Sequence, residues 1–345
     1  MDAVVNYALT LSEGFSILIH ETHCYNTARG GVFPQCDEVC LMRENREVNA
    51  DDQPLTRIIH VLEAVRSTLE TAGIDDPGAD AELIIGHVLK ESRGRVQALA
   101  IMGASLTQEQ YERVFELASV RADRVPLQHL TGVAPFRSLE LRVGPGVFIP
   151  RPETETVAQF AIDALMMAQA AEPIAVDLCT GSGAIALSIA HEVPTARVWA
   201  VEKSENAHAW ATENVAKYGD GRVELVHGDL AEFVPGRLAP QQLEAGVHVV
   251  VSNPPYVPSG SIPRDPEVRE HDPSLALYAG EDGLDAIRVI SRVAAPLLVD
   301  GGSLVLEHAE GQGAAIRDLL TRDGWRSAAT HQDLTGRDRA TTALK

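Results

Sequence analysis

The stretch that decides the fold runs Ile174-Ala175-Val176-Asp177-Leu178-Cys179-Thr180-Gly181-Ser182-Gly183-Ala184-Ile185-Ala186-Leu187. It predicts a buried strand, a glycine-rich turn and a helix that continues through Ala190. Glycines let the backbone turn tightly and approach a ligand closely, and the helix N-terminus behind them favours negative groups. The stretch therefore indicates a ligand site at the carboxyl end of a strand, although an ordinary strand-to-helix turn has the same pattern.

Two further strands with acidic ends follow this turn. Arg197-Val198-Trp199-Ala200-Val201 predicts a strand ending at Glu202, about 20 residues past the glycines, where a carboxylate can accept hydrogen bonds from both hydroxyls of a ribose. A third strand, Val223 to Val226, is followed by Asp229. Because strands and helices alternate, we predict an α/β fold with a doubly wound, mostly parallel sheet.

The tetrapeptide Asn253-Pro254-Pro255-Tyr256 follows the apolar run Val247-His248-Val249-Val250-Val251. The run predicts another buried strand, and open α/β sheets bind ligands at the carboxyl ends of their strands. Neither proline has a backbone N–H, so the loop offers carbonyl oxygens, a side-chain amide and an aromatic face. Such acceptors suit a planar –NH2 group, which points to an amide or an aminated base as the group acted on. The alternative is an ordinary turn.

The glycine-rich turn fits two cofactors. Gly181-x-Gly183-x-x-Ala186 also satisfies the dinucleotide fingerprint, so a nicotinamide enzyme is a competing interpretation. Asp177 counts against it, because a carboxylate there does not help to hold a pyrophosphate but suits the ammonium and sulfonium of S-adenosylmethionine. Hydride transfer also has no need of an acceptor-only Pro-Pro loop. We therefore predict S-adenosylmethionine as the cofactor.

With both motifs in view, the sequence resembles the release-factor glutamine N5-methyltransferases, also called the HemK or PrmC family. The resemblance covers roughly residues 55–345. Ile149-Pro150-Arg151-Pro152-Glu153-Thr154-Glu155 looks like the signature ahead of the family's catalytic domain, and Asp265 to Ala279 like the segment after its Asn-Pro-Pro-Tyr loop. Leu306-Glu307-His308 and Asp333 to Arg339 resemble its last strands. Asn-Pro-Pro-Tyr alone is shared with adenine and other N-methyltransferases, so the combination with Ile149 to Glu155 carries the specificity.

The resemblance implies a class I, Rossmann-like methyltransferase fold with a seven-stranded sheet and a small N-terminal helical bundle. The implied divisions are an unmatched extension at 1–52, a bundle for substrate recognition at 53–125, a β-hairpin linker at 126–150 and the methyltransferase domain at 151–345. Helical spacing agrees with a bundle. One apolar stripe comprises Ile58, Ile59, Leu62, Val65 and Leu69. A second helix, starting at Asp75-Asp76-Pro77, carries Leu83, Ile84, Val88 and Leu89, and Thr107 with Gln110 predicts a capping box.

The implied substrate is the glutamine of the Gly-Gly-Gln motif in class 1 peptide chain release factors. In this interpretation the side-chain oxygen of Asn253 and the carbonyl of Pro254 each accept one N–H, which aims the amide nitrogen at the methyl carbon. Tyr256 stacks on the amide plane, and Pro255 completes the substrate-binding loop. The implied catalytic residues are therefore Asn253, Pro254 and Tyr256.

Cofactor contacts also carry over by position. Cys179 to Gly183 is expected around the methionine part, Glu202 at the ribose and Leu230, beside Asp229, at the adenine. The family often has glycine at Cys179 and aspartate at Glu202, which puts the contacts of those two residues in doubt. The full predicted cofactor set is Asp177, Cys179, Thr180, Gly181, Ser182, Gly183, Glu202, Asp229, Leu230 and Asn253.

The segment Arg151 to Glu155 has two compatible interpretations. Proline at a first helical position followed by acidic residues is a normal helix start, and Thr156 to Met167 is a plausible helix. The functional interpretation is a strap packed against the Asn-Pro-Pro-Tyr loop and the cofactor. His271 and His308 lie in no triad or ligand spacing, so we assign them structural or surface roles.

The first 50 or so residues match nothing in the family. They lack a basic start and an unbroken apolar core, which argues against a signal peptide. Cys24, Cys36 and Cys40 lie near two histidines, but their spacing fits no standard zinc finger, so we predict no metal site. We interpret the segment as a disordered extension, or as an over-long reading frame whose real start is Met42.

Composition bears on partners. The formal net charge of −20 disfavours direct binding to nucleic acid and favours a basic protein partner. No stretch suggests a membrane span and cysteines are few, so a cytoplasmic monomer is expected. Two alternatives remain open: an N-methyltransferase for adenine in nucleic acid, and a nucleotide-sensing module without chemistry.

Overall fold

The computed structural model describes residues 8–11, 15–18 and 56–345. The chain divides into two compact units, Met1–Asp52 and Gln53–Lys345. In the first unit, strands β1 (Ala8–Leu11) and β2 (Phe15–Leu18) pair antiparallel. The rest of the predicted extension lies outside the described residues, including Met42 and the cysteines and histidines considered as a zinc site.

A helical bundle opens the second unit. Its helices are α1 (Ile58–Thr71), α2 (Pro77–Leu89), α3 (Arg93–Ile101), α4 (Gln108–Ala122) and α5 (Leu127–Thr131). Asp76 caps α2 by accepting a hydrogen bond from the Ala79 amide, and Thr107 with Gln110 forms the capping box that the sequence predicts for α4. These caps satisfy amides that the first helical turn leaves without partners.

The buried face of the bundle differs from the predicted stripes at two positions. Ile59 is 48% exposed, and the buried side chain of that turn is Val61, at 1%. In α2, Leu83 is 40% exposed, whereas Ile85 is fully buried. Neighbouring residues in a helix are about 100° apart, so one position decides which side chain faces the core. The predicted apolar stripes therefore include side chains that do not face the core of the bundle.

A short hairpin connects the bundle to the catalytic sheet. Strands β3 (Val133–Phe136) and β4 (Leu139–Arg142) pair antiparallel directly after α5, so the segment 126–150 contains a helical turn as well as the hairpin. Phe136, Leu139 and Leu141 are buried in the same core as the helices that cover the sheet. This apolar contact anchors the hairpin on the catalytic domain.

The second unit contains a seven-stranded sheet with the order β10-β11-β9-β8-β5-β6-β7. The strands are β5 (Ile174–Leu178), β6 (Arg197–Glu202), β7 (Val223–His227), β8 (Val247–Ser252), β9 (Leu298–Glu307), β10 (Arg326–Gln332) and β11 (Asp338–Leu344). Strands β5 to β9 pair in parallel, and β11 runs antiparallel to both β9 and β10. The predicted doubly wound, mostly parallel sheet with an N-terminal helical bundle is confirmed.

Helices cover both faces of this sheet. They are α6 (Thr154–Met167), α7 (Ala184–Glu192), α8 (Glu205–Tyr218), α11 (Asp285–Leu297) and α12 (Gly313–Arg322). Two short helices, α9 (Pro266–His271) and α10 (Ser274–Leu277), lie between β8 and α11 in the sequence. One core lies around α6 and α7, and another lies around α11 and α12. Within the described ranges, no helix has both the length and the apolar character needed to cross a bilayer.

Strand order brings the two sequence motifs together. Leu178, at the end of β5, pairs with Val201 of β6 on one side and with Ser252 of β8 on the other. The chain moves outward from β5 through β6 to β7 and then returns to place β8 on the opposite side of β5. Such a reversal opens a crevice at the carboxyl ends of the strands, where open α/β sheets bind their ligands.

Candidate active site

The glycine-rich turn leaves β5 in a strained but open conformation. Cys179 has a left-handed backbone with φ of 63°, and Gly181 has φ of 58°. A Cβ added at Gly181 meets no atom within 4 Å, so the backbone there is open to a ligand. Thr180 donates a hydrogen bond of 2.6 Å to Asp177 Oδ2, which fixes the turn on the strand that precedes it.

Asp177 lies beneath this turn and has no solvent exposure. Its Oδ2 also accepts a hydrogen bond from the Ala186 amide in the first turn of α7, whereas its Oδ1 has no partner among the described residues. Burial raises the pKa of this carboxyl group to about 7, against the hydrogen bonds that lower it. Asp177 therefore stabilises the turn through its Oδ2, and its Oδ1 is a buried hydrogen-bond acceptor that is not used within the described residues.

Two acidic residues end the neighbouring strands. Glu202, at the end of β6, accepts hydrogen bonds of 2.8 Å from the Gly181 amide and 2.7 Å from the Ser204 amide. Burial raises its pKa, although these amides oppose the shift. Asp229, after β7, pairs with Lys203 at 2.9 Å, and this contact lowers the pKa of Asp229. Both carboxylates face the crevice.

The Asn-Pro-Pro-Tyr loop follows β8 across the same crevice. Asn253 Nδ2 donates a hydrogen bond of 3.2 Å to Thr154 Oγ1, the first residue of α6. The Tyr256 hydroxyl donates to Glu307 Oε1 at 3.3 Å, and burial raises the pKa of this phenol. Gln312 Nε2 donates a 2.9 Å hydrogen bond to the Tyr256 carbonyl. The loop is therefore held at both ends by side chains from other elements.

A cavity of about 860 Å³ lies between the two motifs. Ligand pockets of this type typically occupy about 300–1,000 Å³, so it can hold a cofactor and a substrate side chain. The predicted site residues that line it are Cys179, Thr180, Gly181, Ser182, Glu202, Asp229, Leu230, Asn253, Pro255 and Tyr256. The remaining three, Asp177, Gly183 and Pro254, are buried and do not line it.

Acidic side chains outnumber basic ones around this cavity. The carboxylates are Glu153, Glu202, Asp229, Asp265, Asp285 and Glu307, and the cations are Arg151, Lys203 and Arg339. Such a balance favours a ligand that carries positive charge and disfavours phosphate groups. It therefore fits the sulfonium and ammonium of S-adenosylmethionine better than a dinucleotide.

Ion pairs connect helix α9, which contributes a residue to the cavity lining, to the helical bundle. Val268 of α9 lines the cavity, and its neighbour Glu267 is 8% exposed. Glu267 accepts hydrogen bonds of 2.8 Å from Arg121 and 2.6 Å from Arg124, both contributed by the end of the bundle. Arg121 is itself paired with Asp80 at 2.7 Å. The bundle is thus joined by ion pairs to a segment that lines the cavity.

Comparison with known proteins identifies the family. The profile of the PrmC N-terminal domain matches residues 60–132, and that of the methyltransferase small domain matches residues 139–263. The release factor glutamine methyltransferase of Streptomyces coelicolor is 46% identical over 279 residues, which cover 80% of this chain and 94% of that protein. The chain belongs to the release factor glutamine methyltransferase family.

Two further known proteins are similar to this chain. The release factor glutamine methyltransferase of Bifidobacterium longum is 44% identical over 289 residues, covering 82% of this chain and 97% of the relative. The solved structure of the release factor-specific protein-(glutamine-N5) methyltransferase of Alicyclobacillus acidocaldarius is 28% identical, with a TM-score of 0.35, and covers 59% of this chain and 98% of that one. The resemblance stated from the sequence motifs is confirmed by the sequence relatives.

The structure adds Glu307 to the site, a residue that the sequence motifs did not assign to it, and it places Thr154 of the predicted strap Arg151 to Glu155 against the Asn-Pro-Pro-Tyr loop. Thr154 and Glu307 both line the cavity and contact the Asn-Pro-Pro-Tyr loop. Glu307 ends β9, next to β8, so a carboxylate after an apolar strand was the available signal, as it was for Glu202. His308 is fully buried between Thr341 and the Ala309 carbonyl, which is a structural position.

Proposed function

We propose that this family member transfers the methyl group of S-adenosylmethionine to the side-chain amide nitrogen of the Gly-Gly-Gln glutamine in class 1 peptide chain release factors. The observation that carries the proposal is the placement of Asn253 opposite the glycine-rich turn, with its Nδ2 already bonded to Thr154. Its Oδ1 is then the atom left to accept a hydrogen bond from a substrate.

The residues of the crevice fit the proposed cofactor. Glu202 retains acceptor capacity beyond its two amide partners, which suits the ribose hydroxyls. Leu230 offers an apolar surface beside Asp229 for the adenine. The open turn at Gly181 lets the methionine part approach the backbone. When bound there, S-adenosylmethionine supplies an electrophilic methyl group on a sulfonium that departs as a neutral thioether.

The loop residues make a poor nucleophile effective by position. An amide nitrogen is weakly nucleophilic because its lone pair is conjugated with the carbonyl group. Asn253 Oδ1 and the Pro254 carbonyl each accept one N–H, so the lone pair points at the methyl carbon. Orientation of this kind can lower a barrier by about 7–11 kcal/mol in favourable cases.

The transfer balances without a general base at its start. With the cofactor bound, the amide nitrogen would gain one N–C bond, and the departing thioether would keep the electron pair of the C–S bond. The nitrogen becomes acidic only as the methyl group arrives, and it then releases one N–H proton to water. Tyr256 keeps its plane against the amide, and its raised pKa keeps the phenol neutral throughout.

The proposal places the reaction in the cytoplasm, where release factors act, and it needs a single chain because the site residues come together within one. Mass spectrometry tests it directly. A purified release factor incubated with enzyme and cofactor is expected to gain about 14 Da, one CH2 unit, at the Gly-Gly-Gln glutamine. A release factor with alanine in place of that glutamine is the control. Methylation of DNA or RNA instead, or of the control factor, would overturn the proposal.

A further inference from the structure

Building on the proposed function, we propose that Gln312 is a positioning residue for methyl transfer. Its carboxamide fixes the carboxyl end of the Asn-Pro-Pro-Tyr loop and thereby sets where the Pro254 carbonyl meets the substrate amide. Gln312 lies in the turn between β9 and α12, and it is not among the residues that line the cavity. It therefore acts on the reaction through the loop and does not touch the substrate or the cofactor.

Three hydrogen bonds fix the Gln312 side chain between three segments. Its Nε2 donates to the Tyr256 carbonyl at 2.9 Å and to the Asp282 carbonyl at 3.2 Å. Its Oε1 accepts from the Ala309 amide at 2.9 Å. A backbone carbonyl only accepts and a backbone amide only donates, so these partners allow a single orientation of the carboxamide. Both hydrogens of Nε2 are used, one on the loop and one on the segment before α11.

The loop depends on partners at its ends because it contains two prolines. Pro254 and Pro255 have no N–H groups, so neither can bind the loop to its neighbours through a backbone donor. Their rings also hold φ at about −65°, which makes the segment stiff. A displacement of the Tyr256 carbonyl is therefore transmitted along the loop to the Pro254 carbonyl, because the residues between them cannot absorb it.

The segment before α11 packs along this end of the loop. The Val257 amide donates to the Leu277 carbonyl at 2.7 Å, and the Ser259 amide donates to the Gly280 carbonyl at 2.8 Å. Gln312 joins the two chains, because it donates to one carbonyl from each of them. The loop end and this segment therefore form one hydrogen-bonded unit, which Gln312 connects to the turn after β9.

Capping of the turn after β9 does not by itself explain this residue. The bond from the Ala309 amide to Gln312 Oε1 is of the kind that glutamine or glutamate makes three residues after a capping position, and glutamate serves there equally well. Only the NH2 group of glutamine can also satisfy the two carbonyls. The substitution Gln312→Glu therefore separates the two roles, since it keeps the capping acceptor and removes both donated bonds.

Kinetics of Gln312 variants test the inference. At neutral pH, Gln312→Glu directs a carboxylate at two carbonyl oxygens, and we expect kcat to fall at least about 10-fold, toward the roughly 100-fold that a displacement of about 1 Å can cost. Cofactor affinity and the KM for the release factor should change by less than about threefold, because Gln312 lies outside the cavity lining. Gln312→Met, which removes all three bonds at a similar side-chain length, should lower kcat by a similar factor.

Gln159 provides a matched control on the exposed side of α6. Its Oε1 accepts a hydrogen bond from Arg137 at 2.7 Å, and its Nε2 donates to Asp163 at 2.7 Å. Gln159→Glu therefore keeps an acceptor, loses a donor and adds one negative charge, as Gln312→Glu does, but away from the loop. We expect this control variant to have wild-type kcat.

Hydrogen exchange gives a second readout, which does not depend on activity. We expect the Val257 and Ser259 amides to exchange at least about 10-fold faster in Gln312→Glu than in wild type, and at the wild-type rate in Gln159→Glu. If the wild-type enzyme fails to methylate release factors, the proposed function fails, but the exchange rates still decide whether Gln312 holds the loop. A folded Gln312 variant with wild-type kcat, a loss of activity carried entirely by KM, or unchanged exchange at both amides would overturn the inference.

Discussion

The Asn-Pro-Pro-Tyr loop packs closely against Gly283, and a methyl group added at Gly283 should displace the loop. Gly283 lies between α10 and α11, has φ of 75° and is buried. A Cβ built there lies 2.3 Å from the Tyr256 carbonyl oxygen and 2.7 Å from Gln312 Nε2, the group that holds this carbonyl. The variant Gly283→Ala must therefore move the backbone of the loop.

The magnitude has two parts that a control can separate. A left-handed alanine costs about 1–2 kcal/mol on its own. Overpacking against backbone adds about 1–3 kcal/mol, because the Tyr256 carbonyl cannot rotate away as a flexible side chain would. Gly301 has φ of 80° and no atom within 4 Å of an added Cβ, so Gly301→Ala carries the conformational cost alone. We expect total losses of about 2–5 kcal/mol for Gly283→Ala and about 1–2 kcal/mol for Gly301→Ala.

Urea denaturation of the two variants measures these free energies of unfolding, and the methyl-transfer assay measures kcat. Gly283→Ala should also lower kcat, since it shifts the loop that orients the substrate, whereas Gly301→Ala should not. Equal destabilisation of the two variants would refute the packing argument. A Gly283→Ala enzyme with wild-type kcat would refute the link between this contact and the loop.

The remaining predictions concern substrate turnover, cofactor binding, the ion pairs of Glu267 and the pH dependence of stability. Asn253→Ala should lower kcat at least about 100-fold with a much smaller change in cofactor affinity, measured by methyl transfer and calorimetry; equal turnover would contradict the mechanism. Glu202→Ala should weaken cofactor binding by about 1.5–3 kcal/mol, the value of hydrogen bonds to a charged group, and an unchanged dissociation constant would exclude its role. Glu267→Ala removes the partner of the buried Arg121 and the partly buried Arg124, and it should cost about 3–5 kcal/mol of unfolding free energy. Glu116→Ala breaks an exposed pair with Arg113 and should cost about 0–1 kcal/mol; similar losses in the two variants would argue against the stabilising role of the Glu267 ion pairs. The folded-state pKa of Asp177, about 7, exceeds its unfolded value of about 3.9, so the folded chain binds this proton more tightly. Its contribution to stability is complete below about pH 4 and lost as pH rises through about 7, so the stability of wild type relative to Asp177→Asn should fall between about pH 4 and pH 7; a constant difference would contradict the assignment.

The parts of the site that were predictable from sequence are those where local chemistry and strand order coincide. Glu202 and Asn253 each directly follow or end an apolar strand, and parallel strands bring such ends to one edge. The capping box at Thr107 depends on residues three apart, so it too is legible without tertiary information. These features follow from local sequence and strand order, so predicting them does not require knowing which helices and strands pack together.

Other features depend on contacts between distant segments. Thr154 and Glu307 are separated by roughly 150 residues and line the same cavity because α6 packs beside β8 and β9. The helix stripes that include Ile59 and Leu83 were predicted too broadly for a similar reason, because periodicity shows which residues share a face but not how much of it a neighbour covers. The sequence also did not reveal that Pro254 is buried and does not line the cavity.

The central claim is that two acceptors in one rigid loop hold the glutamine amide in line with the methyl group. A crystal structure of the enzyme with S-adenosylhomocysteine and a peptide containing Gly-Gly-Gln measures this directly. The account predicts that the glutamine nitrogen lies within about 3.2 Å of both Asn253 Oδ1 and the Pro254 carbonyl oxygen. A glutamine in the cavity whose nitrogen contacts neither oxygen would contradict it.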